Sequence, residues 1–419
     1  MRHGDKLYPI LSVEDALEKI LSVFHPLEEE RVPVLAALGC ALAADVYATG
    51  DIPPHANTAM DGYAVIAADT ARAGPESPKT LTVIENLAAG YMAERTVTQG
   101  TAIRIMTGAP MPDGADAVIP FEETEQTGDQ VKLFAEMAVS KNVRFAGEDV
   151  KAGTQVLAAG TRLRPQEIGM LAALGHAEVQ VIRRPRVAIL ATGDELVDID
   201  APLTPGKIRN ANGYSNAAQV IKCGGVPLML GIAQDKVEDL TSRIRSGIAQ
   251  GADLLLTSGG VSVGDFDVVK QVLTAEGAMT FWRVRMKPGK PLAFGRLTAE
   301  VDGKLRTVPV LGMPGNPVSA MVSFELFVRP AILKMRGLKD LDRRLYDAIL
   351  DDPVARKDDR RHFSRVRIEE RGGVLHASLT GEQGSGILNS MVQANGFAII
   401  PEDWSSSPAG ADVKVMFFD

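Results

Sequence analysis

Four short stretches that each follow an apolar run carry the residue types for holding an anion: ATGDEL (191–196), AQD (233–235), TSGGVSVGDFD (257–267) and GMPGNPVS (312–319). Gly259, Gly260, Ser262 and Gly264 leave the backbone bare enough for its N–H groups to approach a phosphate, and Pro314, Gly315, Asn316 and Pro317 repeat that chemistry. A helix starting just after such a loop adds a dipole worth ~0.3–1 kcal/mol at exposed sites. The spacing is neither G-x-x-x-x-G-K-[ST] nor G-x-G-x-x-G, which excludes a Walker loop and a dinucleotide fingerprint. Any one of these loops on its own reads equally well as an ordinary tight turn, since Gly and Asn-Pro are standard turn formers.

The acids among them, Glu195, Asp235, Asp265 and Asp267, would repel an anion. A hard cation between the two resolves the conflict, because Mg2+ takes one or two carboxylates, phosphate oxygens and several waters, although each acid taken singly reads better as a solvated or helix-capping residue. Further on, RMKPGKP places Arg285, Lys287 and Lys290 in a proline-stiffened loop. Point charges on a short loop suit a small tetrahedral oxyanion, which needs converging donors more than a planar fork, although the stretch by itself reads slightly better as a solvated basic turn. By pattern alone, Arg365 in HFSRV and Ser385 in GEQGSGILNSM are surface residues, and Asp61-Gly62 is a hairpin corner with Thr107 at a strand end.

The elements that must position these groups follow from periodicity. Ser12 with Asp15, then Val13, Ala16, Leu17, Ile20, Leu21 and Phe24, predicts an amphipathic helix with a capping box. Residues 48–150 show short alternating runs broken by Gly, Pro and Asp, predicting a β-rich lobe. Residues 151–183 predict a hairpin in KAGTQVLAAGTRL, a helix opening at Pro165 and the strand AEVQVI. From Arg186, apolar strands alternate with helices, which predicts a parallel sheet covered on both faces and a ligand at the carboxyl ends of its strands. Past residue 336 short strands return, predicting a small β-barrel or sandwich.

At 419 residues the chain exceeds what one core supports, so it must contain several domains. Its net charge of -8 argues against nucleic acid or an anionic membrane as partner, so any anionic ligand must meet a local basic site. Two distant cysteines and six scattered histidines offer no disulfide framework or zinc spacing, and no run of ~18 apolar residues occurs. The expectation is a soluble cytoplasmic protein.

Together NTAMDGYAV, RIMTGAPMPDGADAVI, FAGEDV, ATGDEL, TSGGVSVGDFD, KPGKPLAFG, GMPGNPVSA and GSGILNSM resemble the molybdopterin molybdenumtransferase family, which includes bacterial MoeA and the E domain of gephyrin-like proteins. The resemblance runs from the first helix to the last strand. It implies insertion of molybdate into adenylylated molybdopterin with Mg2+, release of AMP and formation of molybdenum cofactor. It further implies a multidomain α/β chain: a central three-layer, MogA-like molybdopterin-binding domain (5–26 plus 184–335), a β-rich lobe (48–150), a connector (27–47 plus 151–183) and a C-terminal β-barrel (336–419). By position, Asp61 and Thr107 become functional residues of the lobe, with Arg144 and Asp149 in support. Glu195, Asp235 and Asp267 fall in the nucleotide and Mg2+ region, with Asp267 ranked above Asp265. Lys287, Lys290, Ser319, Arg365 and Ser385 form the molybdate pocket. The family is dimeric, which implies a homodimer whose lobe reaches the partner's rim, and a transient contact with molybdopterin adenylyltransferase. Thr58 departs from the pattern, standing where Ser is usual. An adenylyltransferase and a gephyrin-like scaffold are the alternative readings; KPGKP and the extra β modules favour insertion over the first, and the absence here of gephyrin's additional domain and long linker disfavours the second.

Overall fold

The computed structural model describes residues 9–259, 277–354 and 358–418. Two compact units are formed, one from Met1–Arg31, Gly39–Ala43 and Gln180–Asp419, the other from Val32–Leu38 and Ala44–Val179. The first is built on a seven-stranded sheet, in the order Ile10–Leu11, Gly277–Val284, Pro291–Val301, Lys304–Met313, Leu254–Ser258, Arg186–Thr192, Val226–Ala233.

Side chains on a strand alternate between faces, and this sheet is buried on both. Val187, Ile189, Leu254, Leu256, Leu311 and Met313 pack on one side with Val13, Ala16, Ile20, Val220 and Val318 of the covering helices. Ala188, Leu190, Leu255, Val308 and Val310 pack on the other with Leu240, Ile244 and Ile248. Such two-sided burial is why the strands read as unbroken apolar runs. Leu256 is fully buried, so Leu256→Ala should cost about 2–5 kcal/mol of stability, read as a lower urea midpoint with an unchanged slope.

The helix Val13–Leu21 starts where expected. Ser12 Oγ accepts the Asp15 N–H at 3.0 Å, Glu14 and Asp15 occupy the first turn, and Lys19 the last. The helices Ala211–Lys222 and Val237–Ala249, and the run Pro317–Met335 with its π-helical turn Phe324–Val328, likewise follow the periodic segments.

Two expectations need correction. The sheet is mixed, because Gly277–Val284 pairs antiparallel with Pro291–Val301, and that strand pairs antiparallel with Lys304–Met313. The hairpin turns at Asp302 and Gly303, both at positive φ, a D-G dipeptide that favours a two-residue turn and was the overlooked signal. The predicted hairpin of 151–163 does not form either. Gly153 and Gly160 do turn the chain, but Gln155–Leu157 pairs with Val46–Tyr47, a distant segment no local pattern reveals.

Beyond the sheet, five C-terminal strands close on themselves: Arg361–Arg371, Val374–Leu379, Tyr346–Leu350, Asp412–Phe417 and Gly396–Ile400, the last pairing back to the first. The strand Tyr346–Leu350 had not been anticipated. Closure leaves no exposed edge, and Leu350, Val366, Ala377, Ala398 and Val415 fill the interior.

The second unit carries a six-stranded, mostly antiparallel sheet, in the order Ala117–Pro120, Gly62–Val65, Thr101–Ile105, Lys79–Leu87, Gln130–Leu133, Thr124–Thr127. Its alternation is also clean: Tyr63 and Val65 pack with Ile119 and Leu133 on one face, Ala64 with Ile103 and Val118 on the other. Among the described residues no helix is long and apolar enough to cross a membrane.

Candidate functional site

The strand Arg186–Thr192 runs parallel to Val226–Ala233 and Leu254–Ser258, and the latter runs parallel to Lys304–Met313. The carboxyl ends of four neighbouring strands therefore share one edge, and the four chemically promising loops leave from it.

Contacts at this edge are close. The Gly259 N–H donates to Met313 O at 3.1 Å, and the Thr192 hydroxyl donates to Ser258 O at 3.3 Å. Gly259 adopts φ +96°, and a Cβ there would lie 2.8 Å from Thr192 O. Only glycine fits that backbone and that space. Asn212, on the helix after the ATGDEL turn, donates to Gly315 O at 2.7 Å and fixes the neighbouring loop.

The acids gather at the same end. Asp194 Oδ1 accepts the Asp235 N–H at 3.2 Å, and the Lys207 ammonium bonds the Asp194 carbonyl. Partial burial first, then the charges of Asp194 and Glu195, raise the Asp235 carboxyl above the ordinary aspartate range. Among the described residues no three His, Cys, Asp or Glu side chains form a metal cage by themselves. Crowded carboxylates that repel one another still fit Mg2+, which needs only one or two of them beside phosphate and water. Gly260, Ser262, Gly264, Asp265 and Asp267 lie outside the described residues.

A raised carboxyl has a definite linkage. Above the unfolded-state value, the native state bears a charge it disfavours, so stability is lost as pH rises from about 4 toward the raised native value. Asp235→Asn should therefore be more stable than the parent at pH 7 and equal to it near pH 3.5. Urea melts at the two pH values check this, and a variant less stable at pH 7 would show that the carboxylate is favourably bonded.

A cavity of about 720 Å³ lies alongside, lined by Gly259, Lys287, Lys290, Pro314, Gly315, Asn316, Ser319 and Ser385, among others. Most of the residues assigned to the oxyanion thus share one space with the glycine rim, and Pro317 opens the helix that carries Ser319. The Lys287–Lys290 loop is closed by the Val284 N–H donating to Lys290 O at 2.8 Å. Met286 and Lys287 pair in parallel with Arg361 and His362, tying the loop to the barrel. Ser385 O accepts the Val318 N–H at 3.1 Å, so that helix donor is already taken.

Arg365 stands apart from this lining. It is 1% exposed, lines a second pocket with Lys287, and donates to Gln383 O, Glu382 O, Gly384 O and Ser390 Oγ at 3.0–3.1 Å. Burial lowers its pKa to about 10. Its contacts organise the loop that presents Ser385.

In the other unit, Asp61 and Thr107 sit at adjoining ends of paired strands, since Gly62 is in register with Ile105. Asp61 Oδ1 accepts the Thr107 N–H at 2.7 Å and its hydroxyl at 2.8 Å, and these bonds hold the carboxyl below the usual range. Thr58 supplies the hydroxyl chemistry of the expected Ser: its Oγ1 bonds Met60 O at 2.6 Å and accepts the Met60 N–H at 3.1 Å, shaping the turn before Asp61. Arg144 pairs through its backbone with Asn57, and the Asp149 N–H donates to Ile52 O.

Sequence reasoning missed Asp194, Asn212 and Arg360. Asp194 adjoins Glu195 in the quoted motif, whereas Arg360 required the barrel's register to be found.

Three matched regions span most of the chain: MoeA N-terminal region (domain I and II) at residues 11–175, probable molybdopterin binding domain at 188–334, and MoeA C-terminal region (domain IV) at 347–418. Molybdopterin molybdenumtransferase 2 of Mycobacterium tuberculosis H37Rv is 37% identical over 410 residues, covering 96% of this chain and 98% of that protein. The chain belongs to the molybdopterin molybdenumtransferase family. The Nostoc family member is also 37% identical, over 422 residues, with 97% and 94% coverage. Among solved structures, the molybdopterin biosynthesis moeA protein from Pyrococcus horikoshii OT3 aligns with a TM-score of 0.79 at 33% identity, covering 98% of this chain and all of that one. The multidomain architecture with its closed C-terminal barrel is that of this family.

Proposed function

We propose that this protein inserts molybdenum into adenylylated molybdopterin, using molybdate and Mg2+ and releasing AMP, to give molybdenum cofactor. Family membership supports the transferase reaction in cofactor biosynthesis. The observation that carries the finer reading is the shared cavity of Lys287, Lys290, Ser319 and Ser385 with Gly259 and Gly315.

In this reading the two lysines attract the tetrahedral dianion, and the Ser319 and Ser385 hydroxyls orient it. The peptides at Gly315 and Asn316 receive phosphate oxygens, and Gly259, whose own N–H is bonded to Met313 O, keeps the rim free of a side chain. Glu195, Asp235 and Asp267 would hold Mg2+, with Asp194 beside Asp235. Bound there, the ion would neutralise phosphate charge and favour cleavage of the phosphoanhydride. Fixed charges in a site shielded from water act more strongly than in bulk. Asp61 and Thr107 are assigned a part in the same reaction through the family motif. A homodimer, a cytoplasmic location and a transient contact with the adenylyltransferase that supplies the substrate belong to this proposal.

Incubation of the pure protein with adenylylated molybdopterin, molybdate and Mg2+ tests it. AMP release that requires both molybdate and Mg2+ is the expected result. Synthesis of the adenylylated pterin from ATP would make the chain an adenylyltransferase, and neither activity would leave a scaffold.

A further inference from the structure

The oxyanion cavity has a third cation that the family motifs did not supply. Arg360 lines it with Lys287, Lys290, Ser319 and Ser385, whereas Arg365 does not. We propose that Arg360 is an additional ligand of the tetrahedral oxyanion, held in position by a carboxylate relay from Asp358 to His362; this rests on the molybdate reading of the cavity.

The relay is continuous. Arg360 Nη2 donates to Asp358 Oδ2 at 2.6 Å, and the Arg360 N–H donates to Asp358 Oδ1 at 3.2 Å. The same Oδ1 lies 3.0 Å from His362 Nε2. His362 is 4% exposed and stands opposite Lys287 in the parallel strand pairing, so the relay is anchored to the backbone that carries the first lysine. Both members of the Arg360–Asp358 pair remain about a quarter exposed, at 27% and 24% of the side chain, which leaves them accessible to a solute entering the cavity.

Charge supports the same conclusion. Among the described residues the cavity lining contains Lys287, Lys290 and Arg360 against one carboxylate, Glu382, with Asp358 paired to Arg360 from outside the lining, so the balance there is basic on a chain whose net charge is -8. A planar guanidinium offers two parallel donors to a tetrahedral anion, which the lysines as point charges cannot. The two lysines would attract the dianion and Arg360 would fix its orientation.

Titration calorimetry with molybdate, and separately with adenylylated molybdopterin, tests this on the full chain. Arg360→Ala should weaken molybdate binding at least ~10-fold and leave pterin affinity within about twofold. Arg360→Lys should recover only part of the loss. Asp358→Asn is the more searching variant, because it adds net positive charge: simple electrostatics predicts tighter binding, whereas loss of positioning predicts weaker binding, about threefold or more. Unchanged molybdate affinity in Arg360→Ala, with a native melting temperature, would overturn the assignment of Arg360. Unchanged or tighter binding in Asp358→Asn would overturn the relay. A parent protein that binds no molybdate would instead remove the underlying reading of the cavity.

Discussion

Lys290→Ala is expected to lower molybdate affinity about 10- to 100-fold while leaving adenylylated molybdopterin affinity nearly unchanged. A unit charge about 4 Å from another is worth roughly 1 kcal/mol in bulk water and 4 kcal/mol near a protein surface. Lys290 is exposed on one side and faces the cavity on the other, which places its contribution between those limits. Its main chain, by contrast, closes the loop through Val284 and survives the substitution. Calorimetric titration of each ligand separates the two effects. Equal losses for both ligands would mean that Lys290 serves the phosphates and that the oxyanion is held elsewhere.

The second large effect concerns Arg365, and here even a charge-conserving change should fail. Arg365→Lys keeps the cation but cannot reach the carbonyls of Glu382, Gln383 and Gly384 together with Ser390 Oγ. Buried acceptors left without donors cost roughly 1–3 kcal/mol each, with the total reduced by relaxation. A fall in melting temperature of roughly 5–10 °C is expected. Molybdate affinity should fall at least ~10-fold with it, because Ser385 loses its placement. If Arg365 instead contacted the oxyanion directly, lysine would retain much of the binding and the melting temperature would hardly move. Paired calorimetric and thermal measurements distinguish the cases.

Much of this molecule could be read before its coordinates. Alternation of apolar strands and amphipathic helices exposed the central sheet, and that in turn predicted a common edge for ATGDEL, AQD, TSGG and GMPGNP. The Ser12 cap and the Pro165 helix start were local chemistry, which sequence reports well. What escaped was set by pairing between distant segments. Gln155–Leu157 found its partner a hundred residues away at Val46–Tyr47, and nothing in KAGTQVL encodes that choice. Arg360 was invisible for the same reason, since only the pairing of Lys287 with His362 brings the strand that follows it to the lysine loop. Arg365 shows the converse: a motif marked it as important, yet a motif carries residue type and order, not whether a guanidinium meets a ligand or a neighbouring carbonyl. The D-G turn at 302–303 was legible and overlooked, because a hairpin interrupting an otherwise parallel rhythm contradicts the pattern around it.

The pairing of Lys287 with His362 and the bond from Val318 to Ser385 join the barrel to the sheet on two sides of the oxyanion cavity. Neither module owns that cavity: one contributes the lysines, the other the serine loop and Arg360. If the cavity takes the oxyanion as proposed, its capture depends on how firmly the carboxyl-terminal third of the chain is seated, and a lesion far out on the barrel would weaken it while phosphate binding on the sheet carries on.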